Sequence, residues 1–172
     1  MQNIIQPGSI EVRERFIQPD EQHWHIASSA FDTSWFERIP AGRLAFISAQ
    51  GLLMYFRESE LAPLFRALAQ RFPGGMLMFD YVNLMLSQLS CGPWGWMVTS
   101  SYRAPPMHWG IDRSALQPTL SRWIGQRVEV HNVTYRHVRG PWQWLAPTLE
   151  SWAPLVADKL PGICWLQLPA RP

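Results

Sequence analysis

Residues 43–81, RLAFISAQGLLMYFRESELAPLFRALAQRFPGGMLMFDY, constrain the fold more than any other stretch of the chain. Leu44, Ala45, Phe46 and Ile47 form an apolar run without alternation, closed by Ser48, Ala49, Gln50 and Gly51. A run of that kind ending in small residues marks a strand buried on both faces. Beyond it Leu61, Leu64, Phe65, Leu68 and Phe72 recur at helical spacing and share one face. Pro63 has no N–H to donate and is best tolerated in a first turn, which sets the predicted start at Ser59 or Glu60. Pro73, Gly74 and Gly75 stop the helix, and MLMFDY (76–81) supplies a second strand. Two strands joined through a crossover helix are predicted to run parallel. Ligands of a parallel sheet sit beyond the carboxyl ends of its strands, so function is expected around 48–51 and 80–83.

A single domain over residues 1–172 is expected, with a Trp/Pro-rich part at 91–172 that holds eight of the ten Trp. Only 16% of residues are charged, and the net charge of +2 comes without any Lys/Arg run. That balance speaks against a basic patch for nucleic acid or for a membrane surface. Cys91 and Cys164 have no CxxC spacing and no secretory leader ahead of them, which predicts reduced, buried thiols in a cytoplasmic protein. No apolar run approaches the roughly 18 residues of a membrane span.

The opening MQNIIQP lacks the buried strand and glycine-rich turn with which an α/β nucleotide-binding domain commonly starts. SIEVRERF (9–16) predicts an amphipathic helix capped by Ser9, WHIASS (24–29) a short strand, and 33–39 a helix of one or two turns. His23 and His25 share a strand face, but no third ligand accompanies them and a metal site is not expected. Residues 82–89 read as a helix. Its Met85, Leu86 and Leu89, with Met76 and Met78, form a methionine-rich group expected in the core. A helix capped by Asp112, a strand within 127–135 and a closing strand ICWLQL (163–168) complete the pattern. The aromatic excess in this half, eight of the ten Trp, suggests a substrate-side cap or a packing surface against a partner.

With these residues laid out, the chain resembles the carboxyl-terminal two thirds of the class I O-methyltransferases related to leucine carboxyl methyltransferase and the tetracenomycin-type polyketide-synthesis enzymes. The likeness runs over about residues 9–168. It is carried by SIEVRERF, by Ile26 to Asp32 with Trp35, by Phe79 and Asp80, by the turn Trp109, Gly110, Ile111, Asp112, and by ICWLQL. Its most specific part is ISAQGLLMYF (47–56). Two departures stand out: the family's first strand and glycine-rich turn have no counterpart here, and Gln50 stands where many relatives have Glu.

The resemblance implies an α/β, Rossmann-like, mostly parallel sheet that is truncated at its amino-terminal side, with S-adenosylmethionine as cofactor. It further implies that Ser29, Ala30 and Phe31 flank the adenine, that Gln50 and Gly51 lie beside the methionine end, and that Tyr55 lines the pocket beyond. The expected partner is a small-molecule methyl acceptor bearing a hydroxyl or carboxylate. No catalytic residue is assigned; His108 and His131 are candidate bases if they face the pocket. Loss of a central strand leaves backbone groups of its neighbour unpaired, so a homodimer is expected as a way of covering them. Two other readings stay open: a non-catalytic interaction module that uses the Trp/Pro tail, and a binder of small apolar ligands with an enclosed pocket near Tyr55 and Met85.

Overall fold

The computed structural model describes residues 2–5, 7–21, 24–40, 42–133 and 157–170. Trp142, Trp144 and Trp152 of the expected Trp/Pro surface, and His23, lie outside these residues. The chain divides into two compact units, Met1–Arg43 and Leu44–Pro172.

The first unit holds a two-stranded parallel sheet in which β1 (Gln2–Ile5) pairs with β2 (Trp24–Ala27), Ile4 facing Ile26. The strand at the very start is a feature the sequence pattern did not disclose, since four residues are too few to show a period. α1 (Pro7–Glu14) starts two residues ahead of the predicted position, with Pro7 as its first residue, where a missing N–H costs nothing. Ser9 therefore lies inside the helix, in its first turn. The 3-10 helix Thr33–Arg38 is opened by Asp32, whose Oδ1 accepts from the Ser34 N–H at 3.1 Å.

The second unit is built on the βαβ element. Its four-stranded sheet has the order β3 (Phe46–Ala49), β4 (Met76–Tyr81), β6 (Gly162–Gln167), β5 (Val130–Val133). β3 and β4 are parallel, as the crossover requires, with Phe46 opposite Met76 and Ala49 opposite Phe79. β6 is antiparallel to both of its neighbours, so the sheet is mixed. α2 (Glu58–Arg71) begins earlier than predicted because the Glu60 carboxylate accepts from the Arg57 N–H at 2.9 Å and fixes the first turn there. Pro63 is accordingly inside the helix, at the cost of one backbone hydrogen bond. α3 (Leu84–Cys91) and α4 (Arg113–Ile124) complete the unit.

One face of this sheet carries the core. Leu77, Phe79, Tyr81, Cys164 and Leu166 are almost wholly buried, as are Leu61 and Phe65 of α2 and Leu116 and Leu120 of α4. Phe65 packs edge-on against both Phe79 and Trp123, with centroids 5.4 and 5.3 Å away, and Trp109 closes the ring cluster. The opposite face carries Phe46, Ser48, Met76 and Met78, all at least partly exposed. Here the expectation of a methionine-rich core fails: Met85, Leu89 and Met76 are exposed, and of that group Leu86 is the one packed against the buried cluster of Met54, Val82 and Met107. The spacing of 82–89 fits a helix but does not tell which face meets the sheet, and α3 turns its buried side inward through Ser87 and Ser90. No described helix is long and apolar enough to cross a membrane.

Candidate functional site

The carboxyl ends of β3 and β4 meet, as a parallel pair must, and the turn leaving β3 is pinned there. Gly51 has φ +58°, a left-handed conformation that residues with a Cβ rarely adopt. Its N–H donates to Oδ1 of Asp80 at 2.7 Å, so the end of one strand is tied to the end of the next. Beside it the Gln50 side-chain amide donates to Ser48 Oγ at 3.2 Å. The chain then makes a short 3-10 turn, Leu53–Tyr55, which buries Leu53 and Met54 and leaves Tyr55 37% exposed. Its position is fixed from below: the Met54 carbonyl accepts from the Trp109 N–H at 3.0 Å, and the Val82 carbonyl from the Ile111 N–H at 2.8 Å.

The structure therefore brings Gln50, Gly51 and Tyr55 together on one strand end, with Asp80 as a fourth member. Asp80 carries no assigned role in the sequence reading, although an acid closing the apolar run MLMFD is the signal that marks it. Nothing lies within 4 Å of a Cβ built on Gly51, so the surface over this turn is open.

Ser29, Ala30 and Phe31 lie in the first unit and are described there. They form a tight turn, with the Asp32 N–H donating to the Ser29 carbonyl at 3.0 Å and the Phe31 N–H to Ser29 Oγ at 3.3 Å. The indole N–H of buried Trp35 donates to the Ala30 carbonyl at 3.2 Å and anchors that turn.

Of the candidate bases, His108 precedes Trp109, whose N–H bonds the Met54 carbonyl beside Tyr55, whereas His131 lies away from the strand-end group. His108 is exposed, its Nδ1 3.8 Å from Cys91 Sγ. His131 stacks on Trp165 at 3.9 Å on β5, the strand at the far edge of the sheet from β3. A cavity of about 280 Å³ lies at the other end of the unit, lined by Ala69, Gln70, Pro73, Ile124, Gln126, Pro169 and Ala170. The helix end at Pro73 precedes the start of β4, so this hollow is not the one expected near Tyr55 and Met85. Among the described residues no group of three or more His, Cys, Asp and Glu could hold a metal ion.

No family model matches the chain. Over 76 residues it is 32% identical to the tetracenomycin polyketide synthesis O-methyltransferase TcmP of Streptomyces glaucescens, a match that takes in 44% of this chain and 28% of that protein. Solved structures of the same fold include an O-methyltransferase family protein from Burkholderia thailandensis, at TM-score 0.57 and 12% identity. The S-adenosylmethionine-dependent methyltransferase SibL superposes at TM-score 0.55 with 17% identity, and PKMT2 from Rickettsia typhi, solved with AdoHcy, at 0.54 with 9%. These superpositions cover 98–99% of this chain but only 43–44% of the others, so the chain spans less than half the length of these solved relatives. The chain thus has the Rossmann-like fold of the class I methyltransferases, and in sequence it resembles the tetracenomycin-type O-methyltransferases.

Proposed function

We propose that this chain is part of an S-adenosylmethionine-dependent O-methyltransferase acting on a hydroxyl or carboxylate of a small, polyketide-type molecule. The observation that carries the reading is the 32% identity to the tetracenomycin enzyme over 76 residues. The pinned turn at Gly51 agrees with it. When bound, the cofactor supplies an activated methyl group; the protein's part is to align donor and acceptor and keep water out. In this reading Gln50 and Gly51 hold the methionine end and Tyr55 the wall beyond it, while Ser29, Ala30 and Phe31 flank the adenine. Gln50 in place of a carboxylate removes one negative charge from beside the sulfonium, which lowers the attraction for the charged donor relative to its neutral product.

A second reading, a non-catalytic interaction module that keeps the fold, is favoured by the exposure of the β3 edge. Calorimetric titration of the chain with S-adenosylhomocysteine separates the two. The methyltransferase reading expects saturable heat that Gly51→Val removes while the far-ultraviolet circular dichroism stays unchanged. Saturable heat would exclude the module; absence of heat at millimolar ligand would show that this chain alone does not hold the cofactor.

A further inference from the structure

The last residue of α3 carries a thiol, and the chain returns to it with a base and a cation. Cys91 is exposed, and its Sγ lies 3.5 Å from the Met107 carbonyl and 3.8 Å from Nδ1 of His108. The pairing is built from beneath. Met107 is buried; its N–H donates to Ser90 Oγ at 2.8 Å and its carbonyl accepts from Ser87 Oγ at 2.7 Å, so the backbone that carries His108 is fastened to α3. Arg103 Nη2 donates to the carbonyl of Gly92, the residue after Cys91, at 3.2 Å. Its guanidinium fits there because Gly95, at φ +60°, has no side chain: a Cβ would stand 1.9 Å from Arg103 Nε. Arg103 is the only Asp, Glu, Lys or Arg between Leu84 and Ile111, so no acid of this stretch offsets its charge. All of these residues belong to the second unit.

A nucleophile, a base within its reach and a cation close by are the parts from which reactive thiols are made. From this cluster we infer that Cys91 is a site of thiol–disulfide exchange for small disulfides that carry carboxylates. Cys91 Sγ attacks one sulfur of a disulfide R–S–S–R, the S–S bond breaks, and Cys91–S–S–R forms with release of R–SH. The thiol proton passes to His108 Nδ1, the accepting nitrogen of an imidazole whose own proton is on Nε2, and from there to the departing sulfur. No electrons come from elsewhere, because the departing sulfur is reduced as Cys91 is oxidised. Arg103 draws a carboxylate of the incoming molecule toward Gly92. The chain's other cysteine, Cys164, is buried on β6, so no second thiol of the chain displaces the adduct and the mixed disulfide is the end product. The adduct has a route to the strand-end group, since His108 leads directly into Trp109, whose N–H holds the Met54 carbonyl next to Tyr55. The inference rests on the geometry around Cys91, and it holds whether or not the cofactor binds.

The test gives the full 172-residue chain either oxidised glutathione, which is anionic, or cystamine, a cationic disulfide that reacts in the same way, and follows the mixed disulfide at pH 7 by mass and peptide mapping. The expected product carries one added group, on Cys91, and Cys91→Ser carries none. His108→Gln should slow both reagents by about tenfold or more. Arg103→Gln should slow oxidised glutathione by about threefold or more, an effect that fades with added salt, and leave cystamine unchanged or faster. Both side chains are exposed, and an unchanged melting temperature checks that the variants are folded. Three results would overturn the inference. One is equal rates for the parent and His108→Gln. Another is an Arg103→Gln effect of the same size on both reagents, or on neither. The third is the absence of any adduct on Cys91 in the native chain.

Discussion

The Gly51 N–H and the Asp80 carboxylate, 29 positions apart in sequence, are joined by a 2.7 Å hydrogen bond that closes the mouth of the βαβ unit. Donors to an ionised acceptor make the stronger hydrogen bonds, and this one holds a turn whose left-handed backbone has no other fastening in the neighbouring strand. Asp80→Ala is expected to lower stability by about 1–2 kcal/mol, as for a hydrogen bond to a charged group that is partly open to water. Asp80→Asn, which keeps an acceptor at the same place, should lose less than half of that. Urea unfolding of the two variants checks the order; equal losses would mean that the carboxylate's charge, and not its hydrogen bond, matters.

Gly110 is a second point where the backbone comes too close for a side chain. A Cβ there would stand 2.4 Å from Ser87 Cβ and 2.6 Å from the Asn83 carbonyl oxygen. Both neighbours are locked, Asn83 as the cap of α3 through Leu86 N–H at 2.7 Å and Ser87 by donating to the Met107 carbonyl at 2.7 Å. Gly110→Ala is therefore expected to cost about 1–3 kcal/mol of stability by overpacking. Thermal unfolding measures it; Gly125→Ala, at an uncrowded turn with φ +83°, reads instead the cost of a left-handed backbone.

The contrast between these two glycines bears on what the sequence could disclose. The βαβ unit was legible because its signals agree: an apolar run, a helical repeat, a Pro-Gly-Gly stop and a second apolar run leave one topology. The turn at Gly51 was legible for the same reason, a glycine at the end of a buried strand. What stayed hidden depends on contacts between distant segments. Nothing local shows that Asp80 would serve Gly51, that Asp112 would turn from its own helix to the Leu84 N–H and Lys159, or that Met85 would face solvent. Periodicity names a face of a helix, whereas the sheet decides which face is covered.

The two thiols are expected to differ sharply. Cys164 is fully buried on β6, and burial, helped by the nearby Asp80 carboxylate, pushes its thiol well above the ordinary range. Cys91 is exposed at the end of α3. In native protein at pH 8 a disulfide reagent should therefore react with Cys91 alone, and Cys164 should become reactive only in denaturant. Rapid modification of both in the folded chain would contradict the packing of β6 against β4.

The start of α4 is held from a distant point, and its stability should depend on pH in a defined direction. Ser114 N–H donates to Asp158 Oδ1 at 2.7 Å, satisfying a first-turn donor that Asp112 leaves open. Those hydrogen bonds from Ser114, with Lys159 nearby as a weaker influence, hold the Asp158 carboxyl below its ordinary range. A depressed folded value means that the ionised form is the one the fold favours. The stabilisation is then complete above the unfolded carboxyl pKa of about 3.9 and is lost as pH falls through the lower folded value. Asp158→Ala should cost about 0.5–1 kcal/mol at pH 7, the modest end for a helix cap because water screens the carboxylate. The difference from the parent should shrink as the pH is taken below about 4, where the parent loses the same contact. Urea unfolding at a series of pH values reads this directly, and a gap that stays constant down to acid pH would show that Asp158 acts through packing and not through its charge.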